Sequence, residues 1–328
     1  MEQKNSMTFW GIFVIKLLIA TITFYIGFSY NLQEIGYKDN RQSIDYINQF
    51  PTQELGFSAN TGWEKDIDEL LQELLDPMHP TSDIVPQDIH SQRFQIICAA
   101  NRNICNKVFF VGQFSPYDQL IYFTAIVRII GQTDRFLQAA GLPGVLGSLQ
   151  TVTINKTGGN RRGGATWHTI VMNVEKIQTF PEFFDVFTHE LGHVVDLGVL
   201  QGISRGQNQA FTEFGRVVFA ADDPSIDYYT LSRRNESTRL ASSRSEDFCS
   251  GYAMTNPFED FAECFNLYMN HNAYFRSIAQ NNQILTQKYN FIANILAGSF
   301  LFSASADLQR AQSRRLGWRP RDTTRMRQ

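Results

Sequence analysis

The sequence predicts an α+β fold: a small mixed sheet, one long helix beside it and a C-terminal helical half. Three observations carry this. Phe123, Ile126, Val127 and Ile130 recur at the i, i+3, i+4, i+7 spacing of a core helix, within a segment that runs toward Gly141. TVTI and WHTIVMNV, residues 151–154 and 167–174, are short β-branched runs on either side of the glycine-rich NKTGGNRRGGA. They read as a hairpin or as two sheet strands with a long connection. From Asn256 to Leu296 helical spacing dominates again, with one break.

Taken in order, the chain opens on an apolar stretch, residues 8–30, interrupted only by hydroxyls and Lys16. That is about the 20 residues a membrane helix needs. Either Lys16 closes the basic part of a signal peptide, with Gly27-Phe28-Ser29 as a small-x-small cleavage site, or it snorkels and residues 1–30 are an uncleaved anchor. A buried soluble helix is the third reading. Lys4 and Lys16 keep the N-terminal end cytoplasmic under the positive-inside rule, which sends the rest of the chain outside. Residues 31–90 read as a linker with one amphipathic helix, in which Trp63, Ile67, Leu70, Leu71 and Leu74 share a face and Thr61 with Glu64 is spaced as a capping box. The main domain is expected over residues 91–300, starting near Arg93. Within it PEFFDVFTHELGHVVDLG is a helix of about five turns, with Pro181 suited to its first turn. Residues 199–250 are irregular apart from one helix-like piece, AFTEFGRVVFAA. Residues 301–328 form a basic tail, with seven arginines from Arg310 onward against the single acid Asp322, and read as solvated.

A net charge of −3 gives no global reason to expect nucleic acid as a partner. Export would place the four cysteines in an oxidising compartment. Three pairings are open. Cys98 and Cys105 flank the short polar AANRNI and could close locally, which leaves Cys249 with Cys264. A cysteine metal site is disfavoured because no C-x-x-C occurs. The sequons at Asn155 and Asn235 matter only in a eukaryotic source.

The chemistry lies in THELGHVVD, residues 188–196. At about 100° per residue, Phe184, Phe187, Leu191, Val194 and Val195 form the core stripe, and His189 and His193 lie roughly opposite, with Asp185 and Asp196 beside them. Imidazoles at i and i+4 project side by side and can reach one zinc ion (Zn2+). Glu190, about 60° off, suits a general base for a metal-activated water. A solvated helix face could hold the same letters by chance; the helical phase and end signals favour the metal site. The metzincin pattern is excluded, because Asp196 and Val199 stand where it has glycine and histidine. Asp196 is better placed to support a ligand than to be one. The third ligand is sought in SGYAMTNPFEDFAECF, residues 250–265, where Glu259 and Glu263 share one helix face. Spacing leaves two readings: Glu259 binds metal and Glu263 orients a ligand histidine, or Asn256 and Glu259 form a capping box and Glu263 is a surface acid. His168 and His271 read as structural.

HELGHVVD followed by Tyr, six residues, Glu, three residues and Glu resembles the anthrax lethal factor-like metallopeptidases, a family that includes secreted Pro-Pro-cleaving endopeptidases. The resemblance spans roughly residues 165–270 and implies a zincin-like metallopeptidase domain. It implies His189, His193 and Glu259 as zinc ligands, Glu190 as base, Tyr252 as oxyanion donor and Glu263 as the acid behind a ligand. This chain departs in the longer segment between the motifs and in Cys264 inside the second. Nothing in residues 31–90 resembles the toxin's other domains, so its toxicity and substrate do not transfer. The expectation is a zinc-dependent endopeptidase acting on peptide or protein substrates outside the cytoplasm, either secreted or held to the membrane by an uncleaved N-terminal segment. The WHTIVMNV strand is expected to be the edge that pairs with an extended substrate. The alternative is a membrane-attached or secreted binding protein whose zinc site is structural or vestigial, with His271 or Asp196 as fourth ligand. The sequence says nothing of the oligomeric state.

Overall fold

A computed structural model of the chain describes residues 87–302 and 322–325. The apolar segment at residues 1–30, the amphipathic helix from Thr61 and nearly all of the 31–90 linker lie outside the described residues. Among the described residues no helix is long and apolar enough to cross a membrane.

Four strands form one mixed sheet: β1 (Val108–Val111), β2 (Thr151–Asn155), β3 (Gly163–Ala165) and β4 (Thr169–Asn173), in the order β1-β2-β4-β3. β1 runs parallel to β2, and β2 to β4; β3 lies antiparallel on the outer side of β4. Val152, Ile154, Ile170 and Met172 point into the core while Val171 faces out, the period of two expected of a sheet with one buried face. The two β-branched runs are therefore parallel neighbours, not a hairpin. The glycine-rich connection supplies β3, which fills the far side of β4. WHTIVMNV is consequently an interior strand, and the expected substrate-pairing edge shifts to β3. GGA carries no β-branched or aromatic residue, so propensity gave no sign of it.

The helices follow the apolar periodicity. α1 (Gln87–Ala100) begins ahead of the expected domain start, and the short α2 (Arg102–Cys105) is tied to it by the Cys98–Cys105 disulfide. α3 (Pro116–Ala139) is set by Ser115 and Asp118, which cap each other's backbone N–H, and it buries Leu120, Phe123, Ile126 and Ile130. After a single turn, α4 (Val145–Ser148), come the sheet strands and then α5 (Phe180–Val194), whose N-terminus is capped by Thr179. α5 widens into a π-turn, Val195–Val199. α6 (Pro224–Thr230), α7 (Pro257–Asn270), α8 (Asn272–Ala279) and α9 (Gln283–Ile295) complete the helical half.

AFTEFGRVVFAA is not a helix. Glu213, Phe214 and Gly215 take φ of +47°, +55° and +82°, and the N–H groups of Thr212 and Phe214 donate to Glu236 Oε2 at 2.9 and 3.1 Å. A left-handed run anchored on a carboxylate cannot continue a right-handed helix. Its apolar letters are explained by Phe211 and Phe219, both sunk in the core. The helix of this region, α6, starts instead at Asp223-Pro224, where Asp223 accepts from Ser225 N.

α5 and α7 make the contact on which the site depends. A Cβ on Gly192 would meet Ala262 Cα at 3.1 Å and Phe265 Cδ1 at 3.2 Å, so only glycine lets the helices come this close. The second disulfide, Cys249–Cys264, ties α7 to the segment entering it. The 301–328 region also differs from a solvated tail. Leu301 and Phe302 both donate to Met269 O at 2.9 Å, and Thr323 and Thr324 are buried in a 3-10 turn (Thr323–Arg325) packed on α5 and α7. The arginines Arg310 to Arg321 lie outside the described residues.

Candidate metal centre

α5 and α7 place their chemistry face to face. Asn256 caps α7 by accepting from Glu259 N at 2.9 Å. This uses the backbone of Glu259 and leaves its carboxylate free to cross to α5. There Glu259 Oε2 stands 3.1 Å from His189 Nε2 and 3.4 Å from His193 Nε2. Glu259 Oε1 accepts from the Tyr252 hydroxyl at 3.0 Å. Only half of a capping box forms: Asn256 accepts from Glu259 N, while the Glu259 carboxylate turns to Tyr252 and the histidines instead of back to the Asn256 N–H.

The donor set fits a zinc ion. Donors held about 2.0–2.1 Å from one metal in a tetrahedron stand ~3.3 Å apart, and the two distances from Glu259 Oε2 bracket that value. Glu190 also belongs to this cluster, since His189, Glu190 and His193 offer donor atoms all within 4.8 Å of one another. Two carboxylates therefore flank one histidine pair. The oxygen of Glu259 lies at tetrahedral-edge distance from both imidazoles, while Glu190 packs against the sheet. A Cβ on Gly163 of β3 would come within 2.5 Å of Glu190 Oε1. That division suits one ligand and one base.

Behind His189, Nδ1 stands 3.0 Å from Glu263 Oε1, close in distance though not aligned as a hydrogen bond. Glu263 is fully buried, and its Oε2 accepts from Thr323 N at 2.8 Å. Asp196 has a different partner from the one expected. Its Oδ2 accepts from the Tyr229 hydroxyl at 2.6 Å, and its Oδ1 has no hydrogen-bond partner. His271 is buried with Nε2 3.2 Å from Asp185 Oδ2. His168 lies on the turn between β3 and β4, 3.2 Å from Thr166 Oγ1. Neither joins the cluster.

The electrostatics agree with the geometry. Burial alone would lower the pKa of His189, but the hydrogen bond to Glu259 and the charges of Glu263 and Glu259 outweigh it and hold the ring well above its usual range. His193 is raised in the same way by Glu259. Burial would raise Glu259, yet the two imidazoles hold it far below the usual carboxylate range. A pocket that favours positive charge among these donors favours a bound dication for the same reason. Glu190 goes the other way, its carboxyl pushed up by burial against the lowering charges of His189 and His193. Burial, then the charge of Glu259, raises the Tyr252 hydroxyl.

Sequence reasoning missed three contributors: Gly163, which fits against Glu190; Arg162, which pairs with Glu182 at 2.7 Å and with Asp322; and Thr323. NKTGGNRRGGA was visible as a glycine-rich oddity, which is the signal a close backbone approach leaves. Nothing in the local sequence marks Thr323.

Residues 176–307 match a family model described as "Putative zinc-binding metallo-peptidase". The match covers α5, α7 and both motifs, and supports a zinc metallopeptidase; it does not single out the lethal factor-like group. Searches of curated proteins and of solved structures gave no match.

Proposed function

We propose that the chain is a zinc-dependent endopeptidase with His189, His193 and Glu259 as metal ligands and Glu190 as general base. The observation that carries this is the position of Glu259 Oε2 between the two imidazole Nε2 atoms at 3.1 and 3.4 Å. Zinc held there supplies Lewis acidity toward a water and a peptide carbonyl. Glu190 takes the proton from the attacking water and delivers it to the leaving amine. Its raised pKa suits a group that must hold a proton between two transfers. Tyr252 turns its hydroxyl from Glu259 to the developing oxyanion. Glu263 fixes the orientation of His189 through Nδ1, and Asp196 fixes the end of α5 through Tyr229. An extended substrate adds to the free side of β3, in front of Glu190.

The reading extends to the lethal factor-like group on the spacing of Tyr252, Glu259 and Glu263, and to peptide or protein substrates outside the cytoplasm. Two disulfides support an oxidising compartment. Residues 1–30 serve as the signal or anchor. A closed structural zinc site is disfavoured because its candidate fourth ligands are engaged elsewhere, His271 with Asp185 and Asp196 with Tyr229.

The test is zinc content of the purified protein, followed by cleavage of a diverse peptide library by wild type and Glu190→Ala. Expected are stoichiometric zinc in both and cleavage by wild type only, with a loss on the order of 10²–10⁴-fold in the variant. Zinc without cleavage by wild type would turn the reading to a binding protein; absence of zinc would overturn it.

A further inference from the structure

We propose that the turn at Asp322–Thr324 is a strap that positions the ligand histidine, so that the metal centre depends on residues far outside both motifs. This rests on the zinc reading above and adds residues that neither motif contains.

The strap has three attachments. Thr323 N donates to Glu263 Oε2 at 2.8 Å, and Glu263 Oε1 faces His189 Nδ1 at 3.0 Å, so one backbone N–H on the strap stands a single carboxylate away from a ligand. Thr323 Oγ1 accepts from Asn266 Nδ2 at 3.1 Å; Asn266 Oδ1 accepts from Asn270 Nδ2, which also donates to Thr188 Oγ1 at 3.0 Å, beside His189. Asp322 pairs with Arg162, which also pairs with Glu182 on α5 and precedes the Gly163 that touches Glu190. Thr324 closes the turn by donating its N–H to Asp322 Oδ1 at 2.9 Å. Thr323 and Thr324 are 0% and 3% exposed.

The physical argument concerns Glu263. A fully buried carboxylate needs donors for both oxygens, and an unsatisfied one is costly in a low-dielectric site. Thr323 N donates to one oxygen, and His189 Nδ1 stands 3.0 Å from the other. Without Thr323 N the carboxylate can rotate toward another donor, and the imidazole loses the contact that sets its orientation. Thr323 is therefore a positioning residue that acts through Glu263, 60 positions earlier in the chain.

The experiment compares wild type, Thr323→Ala, Thr323→Pro and a chain ending at Arg321. Proline removes the N–H and alanine keeps it. Zinc affinity is read by competition with a chromophoric chelator, kcat and KM by peptide cleavage, and folding by the melting temperature of the metal-free protein. Expected is a smaller loss for Thr323→Ala, which keeps the N–H but gives up the Asn266 contact, and for the other two a loss of about 10–100-fold in zinc affinity and kcat with KM unchanged. Zinc affinity and kcat of wild-type size in Thr323→Pro would overturn the proposal. So would losses that merely track a fall in metal-free melting temperature, or an equal loss in Thr323→Ala. A wild type that binds no zinc would instead remove the reading on which the strap rests.

Discussion

Two buried histidines face two buried acids across the same pair of helices, and only one belongs to the candidate centre. α5 contributes Asp185 and His189; Glu263 lies on α7, and His271 stands directly after it. The pairs are crossed, His271 with Asp185 and His189 with Glu263. They differ in the ring nitrogen used. His271 turns Nε2 to its acid, whereas His189 meets Glu263 with Nδ1 and presents Nε2 to Glu259 beside His193. A histidine and an acid are a common structural couple; the nitrogen left over, and what faces it, makes one of them the candidate ligand.

The comparison is most sharply tested by removing each imidazole. His189→Ala is expected to abolish stoichiometric zinc and lower cleavage by more than about 100-fold, beyond the loss usual for a supporting residue. His271→Ala should keep its zinc and its kcat per folded molecule, but lose about 1–3 kcal/mol of stability because its buried contact with Asp185 is removed. Zinc analysis and denaturant unfolding on both proteins decide it. If His271→Ala loses zinc while still folded, the distinction fails.

The disulfides make a milder version of the same contrast. Cys249–Cys264 closes a span of 15 residues that holds Tyr252 and Glu259, and Cys98–Cys105 a span of 7 in α1 and α2. Replacing Cys249 and Cys264 by serine should cost about 3 kcal/mol and also lower kcat, whereas replacing Cys98 and Cys105 should cost about 2 kcal/mol with kcat unchanged. Equal kcat in the two double variants would show that the bridge does not hold Tyr252.

A pH-dependent effect belongs to Asp196, whose pKa is pushed up to about 7 by burial from an ordinary value of 3.8. Between those values the folded protein binds a proton that the unfolded chain releases. The contribution is present in full below pH 3.8 and is lost as pH rises through 7, at up to about 1 kcal/mol per pH unit. Asp196→Asn should flatten that part of the stability profile, measured as urea midpoints from pH 4.5 to 7.5. A slope unchanged from wild type would place the titrating group elsewhere.

What could be read from the sequence follows from how local each signal is. The helical phase of His189 and His193 and the cap at Asn256 depend on neighbours within one turn, and the structure has both. The parallel β2–β4 pairing was not legible, because β-branched runs do not encode direction, and β3 was hidden by having no side chains to pattern. The 210–221 segment shows a helical alternation of apolar residues that serves burial of Phe211 and Phe219, while Glu236, more than twenty residues on, fixes its backbone. Asp196 meets Tyr229, which lies 33 residues on and outside any window around the histidines. Thr323 reaches Glu263 from the far end of the chain, and no window of local sequence contains both.

Gly163 bears on where a substrate can lie. The gap between β3 and the Glu190 carboxylate is too narrow for a single methyl group, since a Cβ there would stand 2.5 Å from Oε1. A side chain at position 163 would have to displace the Glu190 carboxylate. On the endopeptidase reading, a side chain at position 163 would therefore shift the base before it touched a chain paired along the outer edge of β3.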